Sequence, residues 1–140
     1  MYDTILLPTD GSEATTDAAA HAFSHGRRYD ATVHVLSIVE LSGGLGAAGR
    51  DEEKLDRRKR ELLDTAERLV EEHAPESVET TAVVEVGSPA RVITEYATEV
   101  GADLVVMSTR ARGGAGRFLF GSVTEQVIEA GDTPVLAVQR

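Results

Sequence analysis

The 140-residue sequence has no cysteine, which excludes disulfides, thiol catalysis and cysteine-ligated metals. It has little lysine: Lys54 and Lys59 stand alone, and arginine supplies the rest of the 14 basic residues set against 24 acidic ones. The net charge of −10 repels polyanions, so non-specific binding to nucleic acid or to an anionic membrane is disfavoured. An acid excess with so few lysines fits a surface adapted to high salt, where a Debye length of about 3 Å at 1 M screens carboxylates from one another. The plainer reading is an ordinary acidic protein. No apolar run approaches the roughly 20 residues that a membrane span needs. The opening Met1-Tyr2-Asp3-Thr4 has neither the basic segment nor the small-residue cleavage site of an export signal, so a cytoplasmic location is expected.

What the chain does have is a normal apolar share, 41%, and a length that suits one domain over residues 1–140. Strand-like and helix-like segments alternate along it. Thr4 to Leu7 is continuously apolar, as in a strand covered on both faces, and Pro8 stops it. Thr9-Asp10-Gly11-Ser12 is a turn cluster able to cap a helix over Glu13 to Tyr29, with Ala18, Ala19, Ala22 and Phe23 on one face. A second strand spans Thr32 to Val39. Leu41 to Gly49, rich in glycine and alanine, reads either as a mobile loop beside a site or as a plain linker. A charged helix over Asp51 to His73 carries the stripe Leu55, Leu62, Ala66, Leu69 and Val70, and Pro75 ends it. Glu79 to Val86 is a third strand. Ser88 is placed to cap the next helix, Pro89 to open it and Gly101 to end it.

A fourth strand, Asp103 to Ser108, leads into a loop of glycine and arginine over Thr109 to Arg117. A last helix begins near Gly121-Ser122, and Thr133 to Val138 closes the chain. The β-α-β-α-β-α-β-α-β order predicts a five-stranded, mostly parallel, doubly wound sheet with helices on both faces. Pro134 cannot donate to a ladder, which predicts an edge position for the last strand and a second subunit pairing along Pro134 to Val138 to cover it.

In such a sheet ligands bind beyond the carboxyl ends of the strands, where the strand order reverses. Pro8 to Ser12, Ser37 to Glu40 and the glycine/arginine loop all sit at such ends. The loop runs Ser108-Thr109-Arg110-Ala111-Arg112-Gly113-Gly114-Ala115-Gly116-Arg117 and suits an anion: glycine lets backbone amides approach, and arginine brings positive charge into an acidic protein. Gly121-Ser122 adds a helix amino end. The alternative is a surface loop of solvated arginines. Ser122-Val123-Thr124-Glu125 also fits a capping box. Asp10 either accepts hydrogen bonds from a ribose or adenine, orients a metal beside phosphates, or simply caps the first helix. His21 and His25 are four apart on one helix, but they lack a third ligand and the zinc-protease glutamate. His34, in a strand, reads as a core or boundary residue. No catalytic set can be defended from spacing.

Taken in order, these pieces resemble the universal stress protein family across essentially the whole chain. Ile5 to Ser12 looks like the family's first strand and turn, and Val86-Gly87-Ser88-Pro89 is similar to its step into the third helix. Ala102 to Met107 is similar to its fourth strand. Gly121 to Glu125 with Thr133 to Val138 matches its carboxyl end. The resemblance implies a Rossmann-like sheet of the adenine nucleotide α-hydrolase-like type and a stress-linked regulatory role; with no general base or water-positioning group in the sequence, at most slow ATP hydrolysis is expected, alongside a homodimer through the last strand. The resemblance also implies ATP, with or without Mg2+, as the bound nucleotide.

In the family's ATP-binding branch the loop is G-x-x-G-x9-G-[ST]. Here Ser108 and Ala111 take the first two glycine positions, and Gly121-Ser122 the last pair. Alanine at a positive-φ position costs of order 1 kcal/mol, and its Cβ would press on phosphates. The resemblance places Asp10 and Ile38 by the adenosine, and Thr109, Arg112, Gly121 and Ser122 near the phosphates. The full expected site is Pro8, Thr9, Asp10, Ile38, Val39, Ser108, Thr109, Arg110, Arg112, Gly113, Gly114, Gly121, Ser122 and Val123. Two other classes compete: a dimeric interaction module with an emptied site, which Ala111 favours, and an ATP-utilising enzyme of the α-hydrolase-like group. The second lacks its S-G-G-x-D-S loop, because Thr9-Asp10-Gly11-Ser12 has no paired glycines.

Overall fold

The computed structural model describes residues 2–11, 13–40, 52–109 and 120–139. In chain order the elements are β1 (Thr4–Thr9), α1 (Glu13–Tyr29), β2 (Thr32–Val39), α2 (Glu52–His73), β3 (Thr80–Val86), α3 (Pro89–Val100), β4 (Leu104–Ser108), α4 (Phe120–Ala130) and β5 (Val135–Val138). The strands form one parallel sheet in the order β3-β2-β1-β4-β5. The order runs outward from β1 to β3 on one side, then restarts at β4 on the other. The reversal lies between β1 and β4.

Continuous apolar strands are explained by cover on both faces. Ile5, Leu7, Val33 and Val35 point to one face and pack with Ala18, Ala19, Ala22 and Phe23 of α1 and Ala66 of α2. Leu6, Leu36, Ile38, Val105 and Met107 point to the other and meet Ile93 and Ala97 of α3 and Val123 and Val127 of α4. Small alanines on α1 bring that helix close to the sheet, and each large side chain buried there contributes about 1.5–3 kcal/mol. β5 and β3 are the two edges, so the edge expected of the last strand is found.

Four local expectations are corrected. Pro8 does not stop β1 but lies inside it, opposite Leu36. The Thr4 carbonyl accepts from the Asp103 amide, so by alternation Thr4, Leu6 and Pro8 turn their backbone groups towards β4. Registered pairing of β1 with β4 covers only Ile5↔Leu104 and Leu6↔Val105. The next rung needs an N–H at residue 8, which proline lacks, so proline is tolerated in a central strand because it faces the place where pairing ends. Pro134 precedes β5 rather than lying in it, and its carbonyl accepts from the Val105 amide. Ser88 occupies the cap position of α3 without a side-chain capping bond, although Pro89 opens the helix and Gly101 ends it at φ 66° as expected. Asp103 is outside β4: its carboxylate accepts from the amides of Asp3 at 2.8 Å and Thr4 at 3.0 Å, clamping the start of β1 to the start of β4.

The histidines resolve into local contacts. His25 donates from Nδ1 to the His21 carbonyl at 2.8 Å and lies among the rings of Tyr2 and Tyr29. His34 Nδ1 lies 2.9 Å from the Tyr96 hydroxyl of α3. Burial pushes His34 below its ordinary pKa of 6.5. Tyr96 is pushed above its ordinary 10, by burial first and then by the charges of Glu85 and Glu99. Among the described residues no helix is long and apolar enough to cross a membrane.

Candidate functional site

Polar side chains are expensive to bury, so their location shows where a fold has a use for them. Among the described residues the buried polar side chains are Thr9, Thr15, Ser37, Ser108 and Thr124. All of them belong to the carboxyl edge of the sheet. Thr9 is the last residue of β1, and Ser37 pairs with it across the β1/β2 ladder. Ser108 is the last residue of β4, Thr15 comes from the first turn of α1, and Thr124 is the fifth residue of α4.

Hydrogen bonds hold this edge in shape. The Thr9 hydroxyl accepts from the Gly11 amide at 3.0 Å, closing a turn in which Gly11 takes φ 80°. A Cβ there would also come within 3.1 Å of Thr65 on α2, so the turn needs glycine on two counts. Thr15, 1% exposed, donates its hydroxyl to Asp10 Oδ1 at 2.9 Å and fixes the carboxylate at the end of β1. Across the reversal point, Thr124 donates to the Ser108 carbonyl at 3.1 Å, tying α4 to the end of β4. The Thr109 amide donates to the Val138 carbonyl at 3.0 Å, so β4 leaves the sheet still bound to β5. The Val39 carbonyl accepts from the Gly87 amide at 2.9 Å at the end of β2.

Of the expected site residues, Pro8, Thr9, Asp10, Ile38, Val39, Ser108, Thr109, Ser122 and Val123 thus lie at the carboxyl edge or on the first turn of α4. Gly121 is the second residue of that helix. Arg110, Arg112, Gly113 and Gly114 lie outside the described residues, as do Ala111 and the segment Leu41 to Gly49. Ile38 and Val123 are buried in the core on the α3/α4 side, so their side chains serve packing, while Ser122 is exposed. The capping box does not form: Ser122 lies inside α4, and its hydroxyl accepts from Gln126 Nε2 at 3.3 Å.

Thr15, Thr124 and Arg68 escape sequence reasoning. Thr15 and Thr124 look like ordinary helix residues until their partners, Asp10 five residues back and Ser108 sixteen residues back, are known. Arg68 lies far along α2, yet with Leu69, Glu72 and His73 of the same helix it lines a cleft of about 190 Å³ beside Thr9 and Gly11. The arrangement offers a carboxylate fixed by Thr15, the ends of β1 and β4 beyond their last registered pair, and a helix amino end with partial positive charge. It can bind a small polar molecule with an anionic end.

The sequence profile of the universal stress protein family matches residues 1–139. The chain belongs to the universal stress protein family. A universal stress protein of Methanocaldococcus jannaschii, MJ0531, is 37% identical over 100% of this chain and 84% of its own length. Among solved structures, the hypothetical protein MJ0577 superposes with a TM-score of 0.86 at 27% identity, covering 100% of this chain and 97% of that one. A universal stress protein from Archaeoglobus fulgidus, solved in complex with dAMP, superposes with a TM-score of 0.68 at 26% identity and covers 97% of each chain. The five-stranded parallel sheet is therefore the universal stress protein fold, and the carboxyl edge described above belongs to that fold.

Proposed function

We propose that this universal stress protein holds an adenine nucleotide, ATP with or without Mg2+, at the carboxyl edge between β1 and β4, and that it does so in a stress-linked regulatory role without turning the nucleotide over. The observation that carries the reading is the gathering of the buried polar side chains at the carboxyl edge of the sheet, beyond the point where registered β1/β4 pairing ends. The Archaeoglobus relative's complex with dAMP supports the choice of an adenine nucleotide. On this reading Asp10 and the Ile38–Val39 backbone face the adenosine. Ser108, Thr109, Arg110, Arg112, Gly113, Gly114 and the Gly121–Val123 turn take the phosphates. A cytoplasmic protein of this kind would pair with a second copy along β5, whose Val135 and Leu136 are only half-buried.

The competing reading is an interaction module of the same fold with no nucleotide, favoured by Ala111 standing where the ATP-binding loop has glycine. Melting the protein with and without Mg-ATP separates the two. Ligand at about 100 times its dissociation constant adds ~2.7 kcal/mol of stability. A melting temperature unmoved by saturating nucleotide overturns the ATP reading and leaves the interaction module.

A further inference from the structure

Thr15 and Thr124 make a pair. Each is a hydroxyl-bearing helix residue, 1% and 2% exposed, and each donates across to a residue at the carboxyl edge. Valine has almost the same shape and needs no hydrogen bond, so anchoring a helix to a core does not call for threonine. What distinguishes the two bonds is where they end: on the Asp10 carboxylate after β1, and on the Ser108 carbonyl at the end of β4. These positions follow β1 and end β4, beyond the point where registered pairing of the two strands stops.

Resting on the nucleotide reading above, we propose that Thr15 and Thr124 are positioning residues for opposite halves of one ligand: Thr15, through Asp10, for the nucleoside, and Thr124, through Ser108, for the phosphates. Electrostatics makes the division. A carboxylate accepts from hydroxyl and amino hydrogens and repels phosphate, so the Asp10 side suits a ribose and base. The Ser108 side is bonded through Thr124 to α4, at whose amino end partial positive charge favours an anion. Thr124, the fifth residue of α4, fixes the distance of that helix from the end of β4. Thr15 does the same for the carboxylate through its bond to Oδ1.

Adenosine and ATP separate the two roles, because they share a nucleoside and differ in phosphate. Titrations followed by amide chemical shifts read weak as well as tight binding. Thr15→Val weakens adenosine and ATP by the same factor, about tenfold, whereas Thr124→Val weakens ATP about tenfold and leaves adenosine unchanged. Thr15→Ser and Thr124→Ser restore wild-type affinities. Should a valine variant fail to fold, Asp10→Asn replaces the first and Thr124→Ala the second, with the same pattern expected. If both variants weaken both ligands alike, or neither changes while the wild type binds both, the inference is overturned. A wild type that binds neither ligand overturns the nucleotide reading itself.

Discussion

The two ends of the β1/β4 pair are built on opposite plans. At the amino end, one carboxylate, Asp103, accepts from two amides of the β1 start and adds its own amide to the Thr4 carbonyl. At the carboxyl end, Pro8 offers no donor, registered pairing stops at Leu6↔Val105, and the polar groups nearby bond to helices and turns. The amino end is clamped by a carboxylate; at the carboxyl end registered pairing has stopped and the side-chain bonds run to helices and turns. The lesson is that one pair of parallel strands can be pinned at one end and left without ladder bonds at the other, and the proposed ligand site is at the second.

The largest expected effect comes from undoing the closed end. Asp103→Ala removes two charge-assisted hydrogen bonds and lowers unfolding stability by about 2 kcal/mol in urea titration, with ATP affinity unchanged. A loss of affinity equal to the loss of stability would show that the two ends are not separable.

Acid is expected to loosen the middle of the sheet, between the two ends. The folded state holds His34 below its ordinary pKa, so the unfolded chain binds more protons between that lowered value and 6.5. His34 therefore contributes stability that is fully present above pH 6.5 and is lost as pH falls through that window. Tyr96 of α3 faces it, with Glu85 of β3 and Glu99 of α3 close to the phenol. His34→Gln flattens this part of a stability-versus-pH curve, and an unchanged curve would contradict the assignment.

The smallest effect sharpens the comparison most. Pro8→Ala supplies the missing donor, and the new amide becomes protected in hydrogen exchange as a further β1/β4 rung forms. Net stability moves by less than about 1 kcal/mol, because the added bond and the lost stiffness of proline oppose each other. Fast exchange of that new amide would mean that something other than the proline parts the strands.

Much of the fold was legible because it is written locally. The apolar runs that became β1, β2 and β4, the alanine face of α1 and Gly101 after α3 depend on neighbours in sequence. Pro8 misled because the rule that proline ends a strand takes no account of which side its nitrogen faces. Asp103 read as the first residue of a strand because its partners, Asp3 and Thr4, are set by tertiary packing; Ser122 read as a cap because helix boundaries are weakly marked locally, and α4 starts two residues earlier. The location of the proposed site rests on topology, since α/β sheets bind ligands at strand ends where the order reverses. Its inner supports, Thr15 and Thr124, could not be read. Thr124 bonds to a strand residue that only the folded chain brings near, and Thr15 bonds to a neighbour five residues back across a turn whose geometry a threonine in a helix does not announce.

The comparison stands or falls on where a nucleotide binds. Adding ATP to isotopically labelled protein and following the backbone amides tests this directly. Thr9 to Gly11, Ile38, Val39, Ser108, Thr109 and Ser122 to Thr124 are expected to shift, while Tyr2 to Thr4 and Gly101 to Asp103 stay in place. Shifts gathered at the amino end, or none at saturating nucleotide, would contradict the account.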